Sequence, residues 1–132
     1  MQLDDVNPAS GSEPKDTRRP RWVYGAGGEP DPRFSLANER TFLAWVRTSL
    51  ALIAAGVALE ALQVPAHPEL RLSAALVLIA LGLIAIVQGG ISWARTERSM
   101  RLGVALPGLT IGGLIIGGVL VVGVLVLIGF LW

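Results

Sequence analysis

The chain has 132 residues, of which 52% are hydrophobic, and it carries a formal net charge of +1. Its mean hydropathy of +0.59 is high for so short a chain, which favours a membrane protein over a soluble enzyme. Cysteine is absent, which excludes disulfides, thiol catalysis and thiolate metal sites.

Residues 1–30 are polar and rich in Pro, Gly, Asp, Ser and Arg. Such a segment has too little apolar surface to offset the entropy lost on folding, so we expect a disordered cytoplasmic tail. The first five residues have neither a basic nor an apolar region, and we therefore expect no cleaved signal peptide. The membrane domain is predicted to cover residues 31–132.

Three apolar stretches follow, at about 36–62, 72–93 and 109–132. Each is close to the ~20 residues with which a helix crosses a membrane. Strands are excluded because three are too few to close a barrel and satisfy their backbone groups in lipid. Asp31-Pro32 is a typical start for the first helix, with a capping residue before a proline. The sequence thus predicts an all-α membrane protein with three transmembrane helices and a disordered N-terminal tail.

The arginines and lysine predict how the spans are oriented, because short loops rich in these residues stay in the cytoplasm. Six basic residues precede the apolar part of the first span and three follow the second, whereas the loop after the first span carries one. They are Lys15, Arg18, Arg19, Arg21, Arg33 and Arg40, then Arg95, Arg98 and Arg101, and finally Arg71. We therefore expect a cell (inner or plasma) membrane protein with a cytoplasmic N-terminus and an external C-terminus.

The first span contains a candidate functional feature, a column of arginines. Arg33, Arg40 and Arg47 are seven residues apart, so each lies within about 20° of the next on a helix. An arginine deep in hydrocarbon costs about 2.5–3.5 kcal/mol, and such residues usually face protein or water. Three roles are open for Arg47: reaching the inner headgroups, forming an ion pair with Glu39 or another acid, or facing an anion. Alanines share this side of the helix: Ala44, Ala51, Ala54, Ala55 and Ala58.

Other polar residues give weaker indications. Glu39 and Arg40 are a candidate ion pair between helices, and Glu60 is expected to reach the headgroups or to pair with Arg71. Arg95 and Arg98 are weaker candidates for contact with an anion. Glycine pairs in the third span, Gly108/Gly112 and Gly113/Gly117, have the spacing of close helix contacts, or else are flexible filler. We expect no metal site and no cofactor, because His67 has no second ligand nearby and no nucleophile or phosphate loop is recognisable.

The run of residues 36–50 reads LANERTFLAWVRTSL and resembles the signature of the YidH-like family, three-span bacterial membrane proteins also called domain of unknown function 202. The same core occurs in the membrane domain of the fungal vacuolar transporter chaperone. That resemblance implies several three-helix subunits around a polyphosphate pore lined by basic residues of the first helix. The resemblance assigns the pore-lining role to Arg33 and Arg40, with Glu39 as the adjoining acid. Arg95 or Arg98 are looser matches to further basic residues of that family. Because no phosphate-sensing or polymerase domain is expected here, polyphosphate synthesis is excluded.

Two functions remain as hypotheses. The first is a homo-oligomeric anion channel or transport module, in which Arg33, Arg40 and Arg47 form rings that face a polyphosphate-like anion. The second is a non-conducting assembly or scaffold protein, in which the same arginines bind anionic lipid and Glu39 and Arg40 join neighbouring helices. The expected partners are the bilayer, further copies of the chain and an anionic solute or lipid, without nucleic acid.

Overall fold

The computed structural model describes residues 17–108 and 112–131. It contains a short helix α1 (Arg21–Tyr24) and three long helices, α2 (Pro32–Ala61), α3 (Pro68–Leu102) and α4 (Gly112–Leu131). The three long helices have the length and apolarity to cross a membrane, and the described ranges contain no strand. The predicted all-α membrane architecture with three spans is confirmed.

The helix boundaries follow from local sequence. The side chain of Asp31 accepts a hydrogen bond of 2.9 Å from the backbone N–H of Arg33, and Pro32 occupies the first turn, as predicted. The first loop runs from Leu62 to His67, and Pro68 begins α3. Gly103 ends α3 in a left-handed conformation, with φ of 64°.

Helix α3 is longer than its predicted span of 72–93, because it continues for nine residues beyond Trp93. We had expected Arg95, Arg98 and Arg101 to lie in a loop after the second span. They belong instead to the last turns of α3. No proline or glycine interrupts the chain between Trp93 and Gly103, so nothing ends the helix where the apolar run ends. Hydropathy predicted the extent of the apolar segment and missed its polar continuation.

Helix α3 lies in the middle of the bundle and packs against both α2 and α4, whereas α2 and α4 make no close backbone approach within the described residues. Two glycines let α2 and α3 come close. A Cβ on Gly56 would lie 2.7 Å from the carbonyl oxygen of Ala75, and one on Gly82 would lie 2.8 Å from that of Ser49. The buried core consists of Ala74 and Leu78 of α3 and Val122 of α4. Partly buried residues of all three helices pack around it: Leu52, Leu59, Val77, Leu125 and Val126.

Within the described residues, the close helix contact predicted for the pair Gly113/Gly117 is not made. A Cβ on Gly113 or Gly117 would meet open space, whereas one on Gly118 would meet Leu81 and one on Gly129 would meet Ala66. Gly118 and Gly129 therefore carry the contact with α3 and its preceding loop.

Residues 17–31, which we call the N-terminal strap, fold back onto the end of α3. Val23 is fully buried, and the N–H of Gly28 donates to the carbonyl oxygen of Arg101 over 3.1 Å. Gly27 has a φ of 57°, and a side chain there would collide with the Arg101 carbonyl. The prediction of disorder to residue 30 is therefore wrong for residues 17–30, because contacts distant in sequence order them. For residues 1–16 it lies outside the described residues.

Candidate functional site

The arginine column lies on the side of α2 that faces away from α3. Asn38 and Ser49 are buried against α3. Arg40 and Arg47 each lie two residues from one of them, a rotation of about 200° on a helix, and both are exposed. Arg33 is exposed as well. The column thus lies on the outer side of α2 in the single chain.

Small residues accompany the column on this surface, which we call the α2 outer face. Its members are Arg33, Arg40, Ala44, Arg47, Ala51 and Ala54, all exposed. Phe42, Trp45 and Ile53 are half-buried and turn toward α3, whereas Leu50 and Val57 remain exposed. The bulky apolar residues of α2 are therefore divided between contacts with α3 and an exposed surface.

Within the described residues, the column arginines form no ion pair with the acids predicted as their partners. Among residues 17–108 and 112–131, neither Glu39 nor any of the three column arginines takes part in an ion pair. An ion pair of Arg47 with Glu39 is therefore not formed within one chain. A pair between Glu39 and Arg40 of different chains stays a prediction.

The described start of α4 indicates the level of Arg47. Gly112, Ile115 and Ile116 line one cleft together with Thr41 and Thr48 of α2. Arg47 is therefore level with the first described turns of α4, whereas Arg33 and Arg40 lie closer to the N-terminal end of α2. At 1.5 Å per residue, Arg47 lies about 9 Å beyond Thr41 along the helix axis. It therefore lies in the shallow part of the span.

A second polar cluster, missed by the sequence analysis, connects α2, α3 and the strap around Glu97. Only 3% of Glu97 is exposed. Its carboxylate accepts hydrogen bonds from the Ser35 hydroxyl at 2.9 Å and the Asn38 amide at 3.4 Å. Asn38 also donates to the carbonyl oxygen of Trp93, at 3.1 Å. The Arg101 guanidinium, one turn further along α3, lies 3.6 Å from Glu97 and balances its buried charge. The hydrogen bonds from Ser35 and Asn38 to Glu97 hold the start of α2 against the end of α3.

Arg101 also anchors the strap. It lies 3.3 Å from the Glu29 carboxylate. Arg18 forms a second ion pair with the same carboxylate, at 2.6 Å. The Tyr24 ring lies near both guanidiniums, 4.8 Å from that of Arg18 and 4.7 Å from that of Arg101. The hydrogen bond from Arg18 is the main cause of a pKa for Glu29 below its usual value, and the charge of Arg101 adds to it.

The two weaker candidates on α3 have different roles. Arg98 donates to the carbonyl oxygen of Trp22 at 3.1 Å and lies 5.8 Å from the Trp22 ring, so it holds the strap. Arg95 is exposed and lies outside the contacts of the strap. Neither residue belongs to the α2 outer face.

At the opposite end of the bundle, Arg71 lies 3.2 Å from Glu60 and bonds it through two nitrogens. The predicted pairing of Glu60 with Arg71 is confirmed. This ion pair joins the end of α2 to the first turn of α3 and leaves the loop between them without a concentrated positive charge.

One signal in the sequence indicated the missed cluster. Glu97 is the one acid among Arg95, Arg98 and Arg101, and it stands four residues before Arg101, the spacing of an ion pair on a helix. The acid is masked in a count of positive charges, because Glu97 stands among three arginines.

Comparison with known proteins gives a family and relatives. The model of the family DUF202, described as a domain of unknown function, matches residues 33–99, which cover most of α2 and α3. The inner membrane protein YidH of Escherichia coli K12 is 49% identical over 82 residues, which are 61% of this chain and 71% of that protein. The uncharacterized protein Rv2272 of Mycobacterium tuberculosis is 46% identical over 84 residues, 60% of this chain and 66% of that protein. No solved structure matches.

Proposed function

Because the chain belongs to the DUF202 family, whose relatives include an inner membrane protein, we propose that it is an inner membrane protein that assembles with further copies of itself and presents the α2 outer face to an anion. In this assembly Arg33, Arg40 and Arg47 of each copy contribute to positive rings around a shared path. Such rings attract anions and repel cations at close range.

The observation that carries the proposal is the outward direction of the column. In a single chain surrounded by lipid, Arg47 would lie at the hydrocarbon margin with no ion pair to any acid among residues 17–108 and 112–131. The cost of an arginine at the bilayer centre is about 2.5–3.5 kcal/mol, and it falls as the side chain approaches water. An assembly that turns this face toward a wet path removes that cost and gives the column its anion.

The alanines of the α2 outer face support close association of copies. Ala44, Ala51 and Ala54 are exposed beside the arginines, and small residues let helix backbones approach closely in membranes. A surface with bulky side chains in these positions would keep the arginines of neighbouring copies farther apart.

We also propose that the end of the bundle with the strap faces the cytoplasm. The hydrogen bond between Asn38 and Trp93 brings the start of α2 and the end of α3 to the same level, so the two arginine clusters gather at one end. At the other end Arg71 is paired with Glu60. This asymmetry follows the positive-inside rule.

The second candidate function is a non-conducting scaffold that binds anionic lipid. The observation in its favour is that Arg33 and Arg40 lie on the N-terminal side of the turns of α2 that face the start of α4. They are therefore near the level of lipid headgroups, where a basic residue gains about 1 kcal/mol from an anionic surface.

Ion flux in reconstituted vesicles separates the two functions. The experiment measures flux of phosphate, short polyphosphate and chloride under an imposed potential, with parallel determination of oligomer size in mild detergent. The variants are Arg47→Glu, the conservative Arg47→Lys, and Arg95→Glu as a control at an exposed arginine outside the column.

We expect anion flux from the wild type, loss of at least tenfold in Arg47→Glu, and near wild-type flux in Arg47→Lys and Arg95→Glu, all with unchanged oligomer size. Absence of flux of all three anions from the wild type would refute the anion path and leave the scaffold function. Loss of the oligomer in Arg47→Glu would instead assign Arg47 to packing.

A further inference from the structure

Helix α2 carries two strips of residues with the spacing of a coiled coil. Positions 37, 41, 44, 48, 51 and 55 follow one another at alternating intervals of four and three residues, and so do positions 39, 43, 46, 50, 53 and 57. This spacing keeps one side of a helix against a partner helix over many turns. The second set is displaced from the first by two residues, which is about 200° of rotation, so the strips lie on nearly opposite flanks of α2.

The two strips differ in the size of their side chains. The first, which we call the small strip, is exposed along its whole length and contains only alanine and threonine: Ala37, Thr41, Ala44, Thr48, Ala51 and Ala55. The second, which we call the bulky strip, consists of Glu39, Leu43, Val46, Leu50, Ile53 and Val57. Leu43, Leu50 and Val57 are each more than half exposed. A helix with small residues on one flank and bulky residues on the other is complementary in shape to a parallel copy of itself.

The arginine column lies between the two strips. Arg47 is about 60° from Ala44 of the small strip and, in the other direction, about 40° from Leu43 of the bulky strip. If both flanks of α2 contact neighbouring copies, the column faces the axis that the copies share. Helix α3 packs on the opposite side of α2 and so lies outside that ring of helices.

A cleft beside the small strip has room for side chains of a second copy. It has a volume of about 310 Å³ between α2 and α4, and it is lined by Thr41, Ala44, Trp45, Thr48, Gly112, Ile115 and Ile116. Both threonine hydroxyls are engaged by the carbonyls four residues earlier, so the threonines offer mainly methyl groups for packing. An apolar cavity of about 150 Å³ holds a benzene molecule, so this cleft accommodates two aliphatic side chains. In a parallel copy at the same height, Leu43 and Val46 lie at the level of the cleft.

Charge complementarity favours the same contact. Glu39 is an exposed member of the bulky strip, and Arg40 is exposed beside the small strip, three residues after Ala37. Neither Glu39 nor Arg40 takes part in an ion pair among residues 17–108 and 112–131. Because the two residues are adjacent in sequence, they lie at nearly the same height in parallel copies. The bulky strip of one copy therefore brings its carboxylate to the guanidinium of the next.

We propose that α2 joins copies of the chain through these two different surfaces, with the bulky strip of one copy packed into the small strip of the next. Leu43 and Val46 enter the cleft between α2 and α4 of the neighbouring copy. Glu39 pairs with Arg40 of that copy. Each copy uses one strip on each side, so the contact repeats from copy to copy and closes into a ring. This inference rests on the assembly proposed above and identifies the surfaces that form it.

The regularity of the strips favours a second copy over lipid as their partner. Acyl chains are fluid and pack against any apolar surface, so a face toward lipid needs neither coiled-coil spacing nor small residues at six successive positions. A parallel helix needs both, because its side chains must fit between those of α2 at every turn.

Cysteine cross-linking of the full chain in native membranes tests the contact, since the chain has no cysteine of its own. The double variant Thr48→Cys/Leu50→Cys places one thiol in each strip, on opposite flanks of α2 where the two cannot bridge within one chain. The matched control is Thr48→Cys/Ala80→Cys. Ala80 is an exposed alanine of α3 at nearly the same level, because Gly82 lies against the backbone of Ser49. The single variants Thr48→Cys and Leu50→Cys show whether the contact is symmetric.

Mild oxidation should convert the double variant into a ladder of dimers, trimers and larger products, whereas the control pair and both single variants should remain monomeric. Dimers of a single variant as abundant as the ladder would overturn the proposal in favour of a symmetric contact. Absence of the ladder from a chain that is oligomeric in mild detergent would overturn it as well, and would leave the anion path standing. A ladder without anion flux would support the contact and refute the anion path, so the two failures are distinguishable.

An exchange of charges tests the polar end of the contact. Added to the double variant, Glu39→Lys should lower the yield of the ladder at least threefold, because two positive charges then meet. A further Arg40→Glu should restore the yield. A ladder that Glu39→Lys leaves unchanged, or that Arg40→Glu does not restore, would overturn the pairing of Glu39 with Arg40.

Discussion

Replacing Gly82 by alanine tests how tightly α2 and α3 pack. The new Cβ would lie 2.6 Å from Ile53 Cγ1 and 2.8 Å from the carbonyl oxygen of Ser49. The Ile53 side chain can adjust, but the Ser49 carbonyl belongs to the backbone, so α2 must move by about 0.6 Å to restore an ordinary contact. Overpacking of this kind costs about 1–3 kcal/mol.

Gly90→Ala is the matched control, because Gly90 lies in the same helix and a Cβ there meets open space. Both substitutions gain the same ~0.5–1 kcal/mol of helix preference, so the difference between them isolates the strain. Unfolding in mixed micelles of increasing SDS content should show Gly82→Ala to be less stable than Gly90→Ala by about 1–3 kcal/mol. Equal stability of the two variants would refute the close approach of α2 and α3.

Three further predictions follow from the strap end of the bundle. Glu97→Leu should lower the unfolding free energy by about 1–3 kcal/mol in the same SDS titration, because Ser35 and Asn38 lose their acceptor; wild-type stability would contradict this. The lowered pKa of Glu29 means that its contribution to strap docking is present above pH 4.5 and is lost as pH falls below that value. Hydrogen exchange of the Gly28 amide should therefore lose protection between pH 5 and pH 3 after correction for intrinsic rates, and constant protection would contradict it. A reporter enzyme that functions only outside the cytoplasm should be active when fused to the C-terminus, and one that functions only in the cytoplasm should be inactive there.

The sequence was sufficient for the three spans because long apolar runs leave few alternatives in a membrane. It also identified the start of α2, where Asp31 and Pro32 act through neighbouring residues, and the pair of Glu60 with Arg71, which a short loop holds together. Each of these features depends on local chemistry or on the constraint of lipid.

The strap could not be predicted because its stability comes from residues about 70 positions away, such as the contacts of Glu29 and Tyr24 with Arg101. Composition describes what a segment does alone, and this segment alone has little to bury. The cluster around Glu97 was not predicted from the sequence for a related reason. Its ion pair with Arg101 was readable from spacing, but its burial depends on Ser35 and Asn38 of another helix.

The column was predictable as a column, since a spacing of seven fixes a common side of a helix. Its direction relative to α3 depended on where the buried residues Asn38 and Ser49 fell, and that required the packing of the two helices.

The central claim is that the α2 outer face borders water in the assembled protein, and cysteine accessibility tests it most directly. The chain has no cysteine, so single-cysteine variants have no background. Ala54 is the next position of the column after Arg47, and Ala80 is an exposed alanine of α3 outside it. In native membranes, Ala54→Cys should react with an anionic methanethiosulfonate reagent at least tenfold faster than Ala80→Cys, and Arg47→Glu should slow that reaction. Equally slow labelling of the two cysteines would mean that the column faces lipid and would contradict the account.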